Sequence, residues 1–259
     1  MGFFDFSSEK KGRPLKTYYD NGQVKSEGTL KDGVPHGLVK DYHENGQLES
    51  EGTFKDGKRH GQLTIYYENG QLHSEGCFKD DIQDGPLKTY HDNGHLRSES
   101  TYKDGKKEGI WTIYYYENGQ LEVEGTVKND KQHGPEKKYY SNGELEREGT
   151  FKDGKHDGLW KSYHHNGKPH IEQTFKDDVL DGPHFSYFEN GKLEEEGTYK
   201  NGEFHGLWKT YYTNGILFKE RTYEYGTIEN GPVRIYYSHG GLQKEGIFKD
   251  GELIDSNEY

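Results

Sequence analysis

The sequence is short of the residues that most folds use to build a thick core or a covalent framework. Only 28% of its 259 residues are hydrophobic, whereas ordinary globular domains have about 45–50% apolar residues. Cys77 is the single cysteine, so no internal disulfide can form. We therefore expect neither a two-layer core nor a disulfide scaffold, and this cysteine usage suits the reducing cytoplasm.

Positive charge and long apolar runs are also scarce. The chain has 34 Lys and Arg against 46 Asp and Glu, for a net charge of -12. Nucleic acids and anionic membranes attract basic surfaces, so we expect this chain to bind neither. No stretch approaches the length of a membrane span, and residues 1–14 contain no apolar run of signal-peptide length. The acidity either maintains solubility or suits a basic protein partner.

Glycine and aromatic residues are abundant instead. The chain has 36 glycines but only 7 prolines, and 14% of its residues are aromatic, with 22 tyrosines among them. Glycine in this amount indicates many turns, and disordered chains lack such an aromatic content. The composition predicts a thin, tyrosine-rich β structure.

One segment recurs through nearly the whole chain. Asn-Gly dipeptides mark nine copies, at Asn21, Asn45, Asn69, Asn93, Asn118, Asn142, Asn166, Asn190 and Asn214. His239-Gly240 fills the tenth place, and the spacing is 24 residues except for two spacings of 25. The longer spacings locate single insertions near Tyr114–Tyr116 and between Tyr223 and Gly231. Fixed-period self-similarity of this kind predicts a repeat architecture.

Two columns of the repeat do not vary. Tyrosine stands three residues before the Asn at Tyr18, Tyr42, Tyr66, Tyr90, Tyr115, Tyr139, Tyr163, Tyr187, Tyr211 and Tyr236. Glutamate stands six residues after it at Glu27, Glu51, Glu75, Glu99, Glu124, Glu148, Glu172, Glu196, Glu220 and Glu245. Because every copy carries both residues, we expect the two columns to serve stacking rather than one catalytic pocket.

Each copy is typical of a β-hairpin. The stretch "LTIYYENGQLHSEGCF" has two runs rich in β-forming residues around Asn-Gly, a dipeptide that favours a type I′ turn. A second turn is predicted at pairs such as Asp56-Gly57. By alternation along a strand, Leu48, Gly52 and Phe54 share a packing face, and a neighbouring aromatic side chain can lie over the small Gly column. Glu51 lies on the other face, where a Tyr or a Lys would donate to it.

The fold class that follows is all-β. We predict an elongated, single-layer antiparallel sheet of about ten stacked hairpins, twisted or curved along its length. Residues 13–255 form the ten repeats, residues 1–12 an N-terminal cap or tail, and residues 256–259 a C-terminal tail.

The string "EGTFKDGKRHG", residues 51–61, resembles the MORN repeat. Gly52, Phe54, Gly57, His60 and Gly61 stand at matching places, and the preceding "YYENGQL" is similar to the variant found in YwqK-type bacterial proteins. The resemblance covers residues 13–255 and implies stacked antiparallel hairpins. It also implies the role usually given to YwqK-type proteins, which is that of an antitoxin or immunity protein.

None of the candidate chemical groups predicts catalysis. His36, His60, His133 and His205 share one column, but equivalent residues of adjacent repeats lie about 10 Å apart, too far to share one metal ion. His164, His165 and His170 cluster at a hairpin turn. No phosphate-binding motif is present, and nothing around Cys77 suggests a nucleophile. We predict no enzymatic activity, no metal and no cofactor.

Function is expected where the copies differ. Trp111, Trp160 and Trp208 share one column and either anchor a partner, if they are exposed, or pack in the core. The acidic clusters either meet a basic partner or are solvated turns; they comprise Asp80, Asp81 and Asp84 in one copy and Asp177, Asp178 and Asp181 in another. These nine residues are the predicted partner-binding set.

The function predicted from these observations is non-enzymatic protein binding. The first hypothesis is a cytoplasmic immunity or antitoxin protein that occludes a cognate, possibly basic, toxin. The alternative is a structural scaffold, or a cell-surface adhesin or spacer, built from the same repeats.

Overall fold

The computed structural model describes residues 12–250 and 252–259, and the fold of these residues is all-β. The chain divides into two compact units: Met1–Leu121 with Val127–Asp130, and Glu122–Thr126 with Lys131–Tyr259. We call them the first and the second unit. The strands of the first are β1 (Arg13–Tyr18), β2 (Val24–Lys31), β3 (Val34–Pro35), β4 (Gly37–Tyr42), β5 (Leu48–Lys55), β6 (Lys58–Tyr66), β7 (Leu72–Lys79), β8 (Ile82–Tyr90), β9 (Leu96–Lys103) and β10 (Lys106–Tyr114).

Strand β11 (Leu121–Lys128) contains the division between the units. The remaining strands belong to the second unit: β12 (Lys131–Tyr139), β13 (Leu145–Lys152), β14 (Lys155–His156), β15 (Gly158–Tyr163), β16 (Pro169–Lys176), β17 (Val179–Tyr187), β18 (Leu193–Lys200), β19 (Glu203–Tyr211), β20 (Leu217–Glu224), β21 (Thr227–Ile228), β22 (Gly231–Tyr236), β23 (Leu242–Lys249) and β24 (Glu252–Glu258).

Neighbouring strands pair antiparallel within each unit, and the two-residue strands β3, β14 and β21 share the partner strand of the segment that follows them. In the first unit β4 pairs with β5, β5 with β6, and β6 with β7. In the second unit the same sequence runs from β15 through β16 and β17 to β18. The prediction of stacked antiparallel hairpins is therefore confirmed.

The Asn-Gly turns do not have the predicted type I′ geometry. Gly22 has φ +85°, but Asn21 is not among the residues with positive φ. The Tyr19 amide donates to the Gln23 carbonyl (2.8 Å) and the Gly22 amide to the Tyr19 carbonyl (2.9 Å), which is the pattern of a three-residue loop with glycine in the left-handed region. Asn21 serves another purpose, because its Oδ1 accepts from the Gln23 amide and its Nδ2 donates to the Glu44 carbonyl of the next copy.

The type I′ geometry belongs to the second turns. Asp32 and Gly33 have φ +52° and +86°, which are the two consecutive positive angles of that turn. Asp-Gly therefore connects one copy to the next, while Asn-Gly closes the hairpin within a copy. The sequence placed both turns correctly but assigned the type I′ geometry to the wrong one.

Alternation along the strands gives each unit a packed face and an open face. On β5 the packed face carries Gly52 and Phe54, and the open face carries Glu51, Thr53 and Lys55; Gly52 and Thr53 are buried and exposed, respectively. The paired residues follow the same rule, since Val39 lies opposite Gly52 and Lys40 opposite Glu51. The parity expected from the sequence is confirmed.

The predicted N-terminal cap and C-terminal tail have different outcomes. The cap or tail expected at residues 1–12 lies almost entirely outside the described residues. Residues 256–258, expected in a C-terminal tail, belong to β24, where Glu258 lies opposite Lys244 of β23. Among the described residues, no helix is long and apolar enough to cross a membrane.

Candidate protein-binding faces

Tryptophan rings lie directly over glycines on the packed face of the second unit. Trp208 is 3% exposed and Trp160 is 6% exposed. A Cβ atom on Gly197 would overlap the Trp208 ring, and one on Gly149 would overlap the Trp160 ring, so glycine is what lets each ring approach the sheet. The Trp208 Nε1 donates to the Thr198 carbonyl at 3.1 Å. The indole is therefore satisfied both in its packing and in its hydrogen bonding.

These positions bear on the predicted partner-binding tryptophans. Trp160 and Trp208 occupy the core-packing position that the sequence left open, whereas Trp111 of the first unit is half-buried. The Lys107 Nζ lies 6.0 Å from the centre of the Trp111 ring. A direct contact between a partner and these three residues stays a prediction, and Trp111 is the one whose ring is accessible as the structure stands.

Two ionisable residues stand in the same column as the tryptophans. The column lies six residues before the Asn of each copy, or seven in the fifth copy with its insertion, and in the second unit it reads Glu136, Trp160, His184, Trp208 and Val233. Glu136 is 4% exposed and His184 is 8% exposed. The sequence-based reading missed both, although aligning this column would have revealed the alternation of tryptophan with an ionisable residue.

The two residues are stabilised in different ways. The Glu136 carboxylate accepts from Gln132 Nε2 at 2.7 Å and from the Arg147 guanidinium at 3.3 Å. Burial raises the pKa of Glu136, and the Arg147 charge opposes that shift. Burial lowers the pKa of His184, whose ring stacks on Trp208 at a centroid distance of 5.6 Å. Its Nδ1 has no hydrogen-bond partner among the described residues.

The glutamate column of the open face accepts hydrogen bonds from the tyrosine column. Tyr42 Oη donates to Glu27 at 2.6 Å, and this bond together with burial raises the pKa of Tyr42 to about 12. Tyr211 Oη donates to Glu196 at 2.6 Å in the second unit. The same bond forms in four further copies, at Tyr90–Glu75, Tyr139–Glu124, Tyr163–Glu148 and Tyr236–Glu220.

Lysines of the open face add a second partner to these carboxylates. Lys16 Nζ lies 3.7 Å from Glu27, and Lys209 Nζ lies 3.4 Å from Glu196. The sequence predicted a Tyr or a Lys as the donor, and the structure shows both. A carboxylate held by a phenol and an ammonium group from neighbouring strands links successive copies, which is the structural role expected for this column.

The acidic clusters are partly used within the protein. Asp81 Oδ1 accepts from the Arg59 amide at 3.0 Å and from Arg59 Nε at 3.0 Å, and these bonds lower the pKa of Asp81. Asp178 likewise accepts from the His156 amide at 2.7 Å, and the pKa of Asp178 is lowered. Both residues have φ +71°, so each replaces a turn glycine and gains a hydrogen bond in exchange.

The other acidic residues of the predicted set are less engaged. Asp80 lies 3.2 Å from His60 Nδ1 and is exposed, as is Asp177. Asp84 and Asp181 are half-buried near the start of β8 and β17. Contact between any of these aspartates and a partner stays a prediction.

Three of the four histidines of the predicted column, His36, His60 and His133, contact aspartates of the second turns. His36 Nδ1 lies 3.4 Å from Asp56, and His133 Nδ1 lies 3.3 Å from Asp153. His164 and His170 have ring centroids 4.3 Å apart, and His164 Nε2 lies 2.8 Å from the Tyr187 carbonyl. Within the described residues, no group of three or more His, Cys, Asp or Glu side chains is placed to hold a metal ion.

An exposed row of proline, aliphatic and threonine side chains runs along the open face of each unit. Its largest members share one repeat column, and their exposed fractions are 52% for Leu38, 68% for Ile110, 49% for Leu159 and 50% for Leu207. Threonines lie opposite them, as in the pair Leu38 and Thr53. The column also contains Pro14, Gln62, Pro86, Pro135, Pro183 and Pro232. Sequence-based reasoning did not single out this row.

Two depressions lie along the exposed row of the first unit. One of about 230 Å³ is lined by Gln62, Cys77 and Pro86, with the Glu75 and Lys88 side chains at its border. The other, of about 210 Å³, is lined by Pro86, Thr101 and Ile110 among others. Cys77 therefore lies in a shallow surface depression, at the place that threonine occupies in most copies.

Sequence comparison identifies the class of protein that these hairpins define. The model of the MORN repeat variant matches nine segments: residues 14–32, 35–56, 59–80, 83–104, 107–129, 132–153, 157–177, 180–201 and 204–225. The chain belongs to the MORN repeat variant family. Strands β22 and β23 continue the pattern beyond the last matched segment, as the tenth copy of the sequence requires.

More distant comparisons add little. No curated protein sequence is significantly similar to this chain. The crystal structures of TcdB2-TccC3 and of TcdB2-TccC3-Cdc42 each contain a chain that is 14% identical to this protein, with a TM-score of 0.23. Each match covers 94% of this protein and 16% of the matched chain. This chain thus spans about 16% of the length of those chains, and TM-scores of this size carry no argument.

Proposed function

We propose that this protein is a non-enzymatic binding protein whose open face contacts another protein. The observation that carries the proposal is the exposed row, because large aliphatic side chains recur there at one repeat position and stay about half exposed or more. Apolar side chains scattered singly over a surface need no explanation, but aligned ones mark interaction sites. Membership of a repeat family supports the same reading, since repeat arrays present extended binding surfaces.

The finer proposal is an antitoxin or immunity role in the cytoplasm. The protein would cover the active surface of a toxin and so block its substrate, which requires no chemistry from the bound protein. The resemblance to YwqK-type proteins motivates this role, and the Tyr–Glu bonds of the open face supply a regular backing for the contact surface. The basic toxin expected from the net charge of -12 stays a prediction that depends on which charges are accessible.

Co-expression provides the test. Toxin-like genes next to the gene for this protein are expressed in a heterologous host with and without it, and growth is measured. Rescue of growth, together with a complex that survives size-exclusion chromatography, is expected. A protein that never rescues growth from any neighbouring gene product is not an antitoxin.

A matched pair of variants makes that test specific to the open face. Leu159→Asn with Leu207→Asn changes two exposed side chains, so we expect folding to be kept and rescue to be lost. The control changes the packed column from Val233 to Leu, which leaves the open face as it is. Equal rescue by both variants would move the binding surface away from the exposed row.

A further inference from the structure

A row of lysines borders the exposed row on the side of the second turns. These residues end a strand in nine of the ten copies, and each is exposed: Lys31, Lys55, Lys79, Lys103 and Lys128 in the first unit, and Lys152, Lys176, Lys200 and Lys249 in the second. We call this set the lysine row. It lies on the open face because Lys55, for example, is two residues after Thr53 on β5.

The lysine row has no ion-pair partner in the part of the chain that the structure describes. The lysines that form ion pairs there belong to other columns, such as Lys40 with Glu51 and Lys161 with Glu172. In the lysine row, Lys200 lies over the Tyr225 ring at 5.4 Å, and that contact leaves its charge unneutralised. All nine lysines are thus exposed and without an ion pair among the described residues, although Lys200 and Lys249 lie opposite Glu203 and Glu252 on the neighbouring strand.

Three members of the row lie directly opposite a second lysine. Lys55 pairs in register with Lys58, Lys103 with Lys106, and Lys152 with Lys155. Like charges directly opposite each other destabilise a sheet. These opposed lysines therefore do not stabilise the sheet. Two neighbouring ammonium groups are, however, well placed to bind one carboxylate of another molecule.

The glutamates on the other side of the exposed row, unlike the lysines, have bonding partners within the protein. Glu27 is bonded by Tyr42 and Lys16, and the Tyr42 bond lowers the pKa of Glu27. Glu196 is bonded by Tyr211 and Lys209. The glutamates of this face therefore have partners within the protein, whereas the lysine row has no ion pair among the described residues, although the chain as a whole carries -12.

We propose that the open face binds an acidic protein surface, with apolar side chains seated on the exposed row and carboxylates on the lysine row. This proposal rests on the proposed protein-binding function and replaces the basic partner suggested by net charge. The depressions of about 230 and 210 Å³ make the exposed row uneven, so that protruding side chains of a folded partner can fit into it. Two other classes of anion, duplex DNA and anionic lipid, offer no folded surface that would match this apolar relief, and the test below includes both as probes.

The test uses defined probes rather than an unknown partner. A labelled peptide of alternating glutamate and leucine is compared with one of alternating lysine and leucine, with duplex DNA, and with vesicles containing phosphatidylserine. Binding to the full chain is followed by fluorescence anisotropy for the peptides and DNA and by co-sedimentation for the vesicles. We expect the acidic peptide to bind most tightly and to bind more weakly as salt is added.

Two double variants of equal charge separate the lysine row from general electrostatics. Lys152→Gln with Lys155→Gln removes one opposed pair of the row, and Lys168→Gln with Lys192→Gln removes two lysines whose Nζ atoms donate to carbonyls of Asn-Gly turns. Each changes the net charge from -12 by -2 to -14. The first should weaken binding of the acidic peptide by about two- to thirtyfold, and the second by less than twofold.

Each other outcome overturns the proposal. Tighter binding of the basic peptide would restore the partner expected from net charge. Tighter binding of DNA or vesicles, lost in the lysine-row variant, would assign the face to another class of anion. Equal weakening by the two variants, or no binding of the acidic peptide, would remove the lysine row from any recognition. Growth rescue by a neighbouring gene is scored separately, so the antitoxin role and the acidic contact surface fail independently.

Discussion

The packed faces of the two units cover their glycine columns with different side chains. In the first unit the column over the glycines contains Val39, Leu63 and Leu87 before the half-buried Trp111, and the flexible end of Leu63 covers Gly52. In the second unit tryptophans take these places and alternate with Glu136 and His184. A tryptophan ring buries more apolar area than an aliphatic side chain. That larger area can offset the cost of burying an ionisable side chain in the next copy.

The column beside it repeats the contrast. In the first unit it consists of small hydroxyl residues, and Ser50 Oγ donates to Asp41 at 3.1 Å while Thr89 and Ser98 are bonded at 2.7 Å. In the second unit Arg147 and Glu195 occupy equivalent places, and burial raises the pKa of Glu195. The same backbone thus supports a column of small hydroxyl residues in one unit and a column with larger, ionisable residues in the other.

Removing a tryptophan should give the largest effect. Trp208→Ala removes a ring that is 3% exposed, and we expect a loss of about 3–5 kcal/mol in the second unit. Leu87→Ala, the equivalent change in the first unit, starts from a half-buried residue and should cost about 2 kcal/mol. Native-state hydrogen exchange measures each unit separately; equal losses would show that the two columns contribute alike.

Adding a methyl group to the covered glycines should give the next effect. The Cβ of Gly197→Ala would overlap the rigid Trp208 ring, and we expect a loss of about 1–3 kcal/mol. In Gly52→Ala the Cβ would lie 2.8 Å from Leu63 Cδ1, the far end of a side chain that can move, so the loss should be under about 1 kcal/mol. Thermal unfolding followed by near-ultraviolet circular dichroism distinguishes them, and a greater loss for Gly52→Ala would contradict the comparison.

The sequence predicted the features that every copy shares. Turn positions, the parity of Gly52 and Glu51, and the structural role of the glutamates follow from a 24-residue period and strand alternation. The type I′ geometry was placed at Asn-Gly because that dipeptide tolerates it, but the next copy supplies a carbonyl for the Asn21 side chain and stabilises another turn. A contact between copies of this kind cannot be read from one copy.

The features that differ between copies were harder to predict. Burial of Trp160 depends on a glycine on the neighbouring strand, and the accessibility of the lysine row depends on which carboxylates the tyrosines occupy. Both are properties of register between copies. Residue types alone placed Asp81 and Asp178 in the predicted partner-binding set. In the structure their oxygens already accept hydrogen bonds from Arg59 and His156.

Acid should weaken the second unit through His184. Burial lowers its folded pKa below the usual 6.5, so the unfolded state binds the proton more readily. The stability present above pH 6.5 is therefore lost as pH falls from there toward the folded pKa. His184→Leu should remove this loss, which hydrogen exchange at pH 7.5 and pH 5.5 would detect in the second unit.

Glu136 provides the control for that titration, because its slope has the opposite sign. Its folded pKa is raised from 4.5, so its contribution is full below pH 4.5 and is lost as pH rises through the folded pKa. Glu136→Gln should therefore remove a loss at neutral pH and leave the acid response of His184 in place. An unchanged acid response in His184→Leu would assign that response to another group.

The open face should behave alike in both units, which sharpens the contrast between the packed faces. Tyr42→Phe and Tyr211→Phe each remove a 2.6 Å bond to a glutamate, from one unit and from the other. Each glutamate is partly exposed and has a lysine as its second partner, so we expect both losses of stability to be small and similar. Urea unfolding monitored by hydrogen exchange in each unit tests this; a twofold difference would extend the contrast to the open face.

The smallest effects are expected at the turns where aspartate replaces glycine. Asp178→Gly relieves a φ of +71° but loses the bond from the His156 amide and the contact with His156 Nδ1, so we expect the opposing terms to leave a small net change in stability. Asp81→Gly has the same backbone terms and loses the contact with Arg59 Nε in place of the histidine contact, and an exposed pair of this kind adds little. Chemical denaturation of both variants beside the wild type measures the difference. Because the backbone terms are equal, a larger loss in Asp178→Gly would mean that the His156–Asp178 contact of 2.8 Å is stronger than the arginine pair, and that the charged character of the second unit extends to its turns.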